Sequence, residues 1–104
     1  MDVPQPEEIE TMAELRAAID AIDDGLLALL AERQALVDRA PVLKRREGVA
    51  AAAPSRVQEV LSHLRTRAET AGFEPETATA MWQVMITAMI AREERVIGPE
   101  GKDA

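Results

Sequence analysis

The stretch LRAAIDAIDDGLLALLAERQALVDRAPVL, residues 15–43, decides how this chain folds. Within it Leu15, Ile19, Ile22, Leu26, Leu29, Arg33, Leu36, Ala40 and Leu43 alternate in steps of four and three. That spacing is the inward seam of a helix packed along its length against other helices. One member of the seam, Arg33, is a guanidinium. A buried charge without a partner is costly, so a seam keeps one where something anionic arrives to meet it. A long arginine can also snorkel out of a core position, and periodicity alone leaves both readings of Arg33 open.

Outward from this stretch, Thr11 with Glu14 three residues later has the form of a capping box and starts the helix. The apolar register then spans about 33 residues, or roughly 50 Å at the helical rise. A chain of 104 residues has little use for so long a rod, since a compact domain of that size has a radius of gyration of about 13 Å. A helix of this length needs partners throughout, and a second copy of itself is the obvious one. Pro41 predicts a bend between Val37 and Pro41, with the helix resuming to about Arg46 and ending at Gly48.

Val49 to Ala53 reads as a linker. Ser55 and Gln58 form a second capping-box pattern, opening a helix whose seam is Val57, Leu61, Leu64 and Ala68 and which Gly72 closes. Pro75, flanked by Glu74 and Glu76, suits the first turn of a third helix. That helix runs to about Ile97 before Gly98-Pro99, and its seam is Trp82, Ile86, Met89, Glu93 and Val96. Glu93 is thus a second charge at an inward position. The expected organisation is a flexible tail over 1–10, a helical domain over 11–97 and a tail over 98–104, with Glu100 to Ala104 frayed. The fold class is all-α, three helices in the order long, short, medium.

Composition narrows the function. Net charge is −7, with 12 basic and 19 acidic side chains, which argues against a general nucleic-acid surface. Any anion site must be a local cluster of cations. There is no cysteine, so disulfides and thiolate metal sites are excluded. His63 has no companion at metal-ligand spacing and reads as structural or surface. Met81, Met85 and Met89 suit a core. No membrane span or secretory leader is recognisable, and the expected compartment is the cytoplasm.

Arg16, Arg33, Lys44 and Arg56 stand out among the cations. Arg33 and Lys44 are eleven residues apart, close to three full turns, so they share a face about 16 Å apart along the axis. Arg16 lies seventeen residues before Arg33, about 100° around the axis and roughly 25 Å along it. It therefore suits the pocket of a partner helix better than its own. Arg56, after the fold-back at Gly48, can return toward Lys44. Arg45, Arg46, Arg65, Arg67, Arg92 and Arg95 read as solvated surface charges.

The spacing Arg16, Arg33, Lys44, Arg56 resembles the all-helical chorismate mutases of type II. So do Leu15-Arg16-Ala17-Ala18-Ile19-Asp20-Ala21-Ile22-Asp23, Leu29-Leu30-Ala31-Glu32-Arg33 and Ala91-Arg92-Glu93-Glu94, and the likeness spans about residues 12–97. The resemblance implies an intertwined homodimeric helical bundle that converts chorismate to prephenate by a Claisen rearrangement, without metal or cofactor. It implies that Arg16, lent to the partner's site, and Arg33 bind the substrate's two carboxylates. Lys44 would serve the enolpyruvyl carboxylate and ether oxygen, Arg56 the electrostatics near the ring, and Val57 and Met89 the substrate's surroundings. Glu93 stands where many relatives carry glutamine. A glutamate donates a hydrogen bond only when protonated, which predicts activity that declines as pH rises. Val57 stands where many relatives place a carboxylate for the ring hydroxyl, and Ala53 is likewise apolar. Isochorismate-pyruvate lyases share the fold and the four cations. The 4-amino-4-deoxychorismate mutases share a glutamate at the Glu93 position and the pattern Lys44, Gly48-Val49, Pro54, Arg56-Val57. A helical dimerisation or regulatory module is the reading from another class, against which four cations in register argue.

Overall fold

The computed structural model describes residues 2–103 and divides between Leu36 and Val37 into two compact units. The first unit is built on α1, Met12–Val37, preceded by a single 3-10 turn at Pro6–Glu8. Thr11 caps α1 as expected, its Oγ1 accepting the Glu14 amide at 3.1 Å. The return half of the box reaches one residue further, for Glu14 Oε2 accepts from the Glu10 amide at 3.2 Å. Val3 and Ile9 are half-buried and, with Leu15, Ala18, Ile19 and Ile22, line an apolar cleft of about 450 Å³. No residue of α1 is buried. Its seam stays open to solvent: Ile19 is 49% exposed, Leu26 50% and Leu36 76%.

The second unit begins where the long helix breaks. The rod expected to bend at Pro41 is two helices, α1 ending at Val37 and α2 running Ala40–Glu47. The break follows from the proline ring, which clashes with the carbonyl four residues back and offers no amide to bond it. Pro41 instead occupies the first turn of α2, where its missing N–H leaves nothing unsatisfied. Gly48 and Gly72 terminate α2 and α3 in the left-handed conformation, with φ of 69° and 80°, as their positions predict.

α3, Pro54–Ala71, packs against α4, Pro75–Ile97. Leu64 and Ala68 on α3 meet Ala78 on α4, and Trp82 closes the cluster. The alanines let the two backbones approach. Arg65 Nη2 reaches Glu76 Oε1 at 2.6 Å across the same pair. Arg92 on α4 makes a bidentate contact with Asp38 in the α1–α2 turn, Nε and Nη2 donating at 2.6 and 2.8 Å.

Two local expectations are corrected. Ser55 and Gln58 do not form a capping box: α3 starts two residues earlier than that box requires, and its N-cap is Ala53, which has no side-chain acceptor. The Ser55 amide and hydroxyl donate instead to Asp103, at 3.0 and 2.7 Å. Nor are residues 101–103 frayed. Lys102 pairs with Val49 in a short parallel bridge, its amide donating to Gly48 at 2.7 Å and its carbonyl accepting from Ala50 at 2.8 Å. Ala104 lies outside the described residues. Among the described residues, no helix is long and apolar enough to cross a membrane.

Ala78 is 1% exposed, so Ala78→Leu should overpack the α3–α4 contact and lower unfolding free energy by about 1–3 kcal/mol in a urea titration. The Asp38 carboxyl is held below its ordinary range, chiefly by hydrogen bonding to Arg92 and then by that residue's charge. The stability this lends is present above the ordinary carboxylate pKa and lost as pH falls through the lowered folded-state value. Asp38→Asn should therefore lower Tm at neutral pH, and the gap from the wild type should close under strong acid.

Candidate active site

Glu93 is the buried charged residue among those described, 6% exposed on α4. Its seam position predicted that burial, and the structure supplies its partner. Lys44, in the last turn of α2, brings Nζ to 2.8 Å from Glu93 Oε1. The same Nζ donates to the Ala51 carbonyl at 3.0 Å. The Gly48 turn makes this second contact possible by reversing the chain and returning residues 49–53 beside Lys44. These residues are no bland linker, because Ala50, Ala51 and Ala53 are among the most buried in the unit.

The geometry of the pair is asymmetric. The directed hydrogen bond of Lys44 goes to Ala51, while Glu93 Oε1 is buried and receives no well-aligned donor. Charge proximity, rather than hydrogen-bond direction, joins Lys44 to Glu93. Removing a carboxylate from water is expensive, and an opposite charge at contact distance offsets much of the cost. The offset also neutralises Lys44, so a dianion would draw most of its net attraction from the arginines.

Arg56 sits in the first turn of α3 with its side chain 62% exposed, its Nη1 on Glu59 Oε1 at 2.7 Å. An exposed pair of this kind is worth about 0–1 kcal/mol, so Arg56 can exchange Glu59 for a ligand carboxylate at little cost. Val57 follows it on α3, half-buried, and Met89, also half-buried, lies one turn before Glu93 on α4. Arg16 and Arg33 lie on α1, the first exposed and the second half-buried. His63 is exposed on α3. The structure thus joins Lys44 to Glu93, leaves Arg56 on a replaceable surface partner, and carries Arg16 and Arg33 in the other unit. Sequence reasoning missed the Ala51 carbonyl and Asp103. A backbone carbonyl has no residue-type signature, and Asp103 lies 48 positions from the serine it holds.

The model of the family described as chorismate mutase type II matches residues 15–94 of the chain. That span contains Arg16, Arg33, Lys44, Arg56, Val57, Met89 and Glu93. No curated protein gives a significant match.

Lys44→Met should strand the buried Glu93 carboxylate and lower stability by about 1–3 kcal/mol. The loss should stay below that for a fully buried pair, because a quarter of Lys44 remains exposed. A double-mutant cycle with Glu93→Gln should return a coupling energy of about 0.5–3 kcal/mol. A value near zero would mean that the two groups are neighbours without being partners.

Proposed function

The chain belongs to the type II chorismate mutase family, and from that premise we propose that it converts chorismate to prephenate as a cytoplasmic homodimer. The observation that carries this reading is the seat of Lys44, an ammonium held by a buried carboxylate and a backbone carbonyl inside the matched span. The helical part, residues 11–97, would be the working domain.

The reaction is a rearrangement within one molecule: a C–O bond breaks at the ether oxygen while a new C–C bond forms. It needs no nucleophile and no cofactor. Its barrier falls when the substrate is held in a folded conformer and when donors face the charge developing on the ether oxygen. In this proposal Arg33, with Arg16 from the partner chain, grips the two carboxylates. Lys44 faces the enolpyruvyl carboxylate and ether oxygen. Arg56 leaves Glu59 to approach the ring, and Val57 and Met89 shape the apolar side. Glu93, paired with Lys44, holds that ammonium toward the ether oxygen. The open seam of α1 supports the dimer, because an apolar strip of this length on a helix is stable in water when another surface covers it.

A second reading takes support from Glu93 Oε1, a buried acceptor short of a directed donor. The amino group of 4-amino-4-deoxychorismate would supply that donor. The apolar Val57 also fits a substrate with no ring hydroxyl at C4.

One assay panel decides between these readings. With chorismate, isochorismate and 4-amino-4-deoxychorismate offered separately, the highest kcat/KM should fall to chorismate, with prephenate as product. Release of pyruvate from isochorismate, or preference for the amino compound, would replace the assignment. Arg33→Ala should reduce kcat/KM at least about 100-fold, whereas a non-catalytic dimerisation module would tolerate it.

A further inference from the structure

We propose that residues 101–103 form a strap that positions Lys44 and Arg56, the two site cations assigned to the second unit, for the reaction. The inference rests on the proposed function for the roles of those cations and adds Asp103 and Gly101 as residues that act through them. Two sets of contacts carry it, one at each end of the loop between α2 and α3.

At the first end, Lys102 pairs with Val49, donating to the Gly48 carbonyl at 2.7 Å and accepting from the Ala50 amide at 2.8 Å. The next residue along the loop, Ala51, gives its carbonyl to Lys44 Nζ. The strap therefore fixes the backbone that fixes the ammonium. At the second end, Asp103 Oδ1 accepts the Ser55 amide and Oδ2 the Ser55 hydroxyl. Ala53, the N-cap of α3, has no side-chain acceptor, and its carbonyl takes the Arg56 and Val57 amides at 3.1 and 3.2 Å but not the Ser55 amide. Asp103 supplies the missing acceptor from 48 residues away, and the residue it pins is the immediate neighbour of Arg56. A negative side chain at a helix N-terminus is also favoured by the helix dipole. The two bonds from Ser55 hold the Asp103 carboxyl below its ordinary range, the side-chain bond being the larger cause.

Gly101 shows that the approach is specific. Its φ is 132°, and a Cβ there would stand 2.5 Å from the Ala50 nitrogen and 2.7 Å from the Val49 carbonyl carbon. Those atoms are backbone and cannot rotate aside, so residue 101 must be glycine for the strap to lie where it does. The end of α4 is anchored as well, Arg45 Nη2 donating to the Val96 carbonyl at 2.8 Å. The strap thus leaves a fixed point and lands on the loop.

Asp103→Ala and Gly101→Val test the strap from its two contacts. Each should lower kcat/KM about 10- to 100-fold on the compound the wild-type protein turns over. The loss should fall in kcat more than in KM, because displaced cations still attract a dianion but no longer meet the charge on the ether oxygen. Asp103→Asn keeps a carbonyl acceptor for Ser55 and should recover much of the rate. Amide hydrogen exchange, read without substrate, should quicken at Ala50 and Ser55 while Leu64 and Ala78 remain protected. Wild-type kinetics in both variants would overturn the proposal, as would unchanged exchange at Ala50 and Ser55. Loss of protection throughout α3 and α4 would overturn it too, since the strap would then only hold the fold together. A wild-type protein inactive on all three compounds would refute the proposed function instead, and the exchange measurement would then decide the strap by itself.

Discussion

A carboxylate buried to 6% exposure at Glu93 imposes its requirements on everything around it. It must have a cation at contact distance, and Lys44 provides one at 2.8 Å. That cation in turn stands in a partly dry corner and needs its own remaining donors used, which the Ala51 carbonyl begins to do. The carbonyl can face Lys44 only if the chain reverses after α2, and the left-handed Gly48 makes the reversal. A single ion pair thereby fixes the end of one helix, the face of another and the path of the loop between them. Burying such a pair is weak evidence for stability, because apolar residues of the same volume often serve as well or better.

The punctuation of the fold was legible because it is local. Gly48, Gly72 and Pro75 end or begin helices through their own backbone preferences, and each does so at the position its residue type dictates. Pro41 was legible as a disturbance but not as a full break, because the difference lies in whether Asp38 and Arg39 keep helical hydrogen bonds. The Asp38 carboxylate in that turn is held by Arg92, which lies 54 residues on. Ser55 shows the same limit. Its spacing to Gln58 has the form of a capping box, but Asp103 offers the serine a charged acceptor for both amide and hydroxyl. A charge-assisted hydrogen bond is stronger than the neutral one it displaces.

The candidate site was legible in proportion to how much of it is carried by side-chain register. Glu93 was marked by its seam position, and its burial agrees. Lys44 was marked by the eleven-residue step from Arg33, yet its observed neighbours are Glu93 and a carbonyl. Neither neighbour follows from a helical wheel drawn on one helix. The alanines of residues 50–53 carried no signal at all. Their small side chains read as a linker, whereas Gly101 and Lys44 both lie against the backbone of Ala50 and Ala51.

Arg33 and Glu93 began as the same anomaly, a charge in an apolar seam, and the structure separates them. Glu93 has its counter-charge within its own unit, so its burial is already compensated. Arg33 is half-buried on a helix none of whose residues is buried. A guanidinium in that position keeps its hydration until another surface covers the seam, and covering the seam then leaves it facing whatever anion shares the interior. In the proposed dimer the cost of desolvating Arg33 would fall at the step that also buries Ile19, Leu26 and Leu36, where the gain from apolar area can offset it. In the proposed dimer an anion paired with Arg33 would favour the covered seam, and the covered seam would strengthen the pair by lowering the local dielectric.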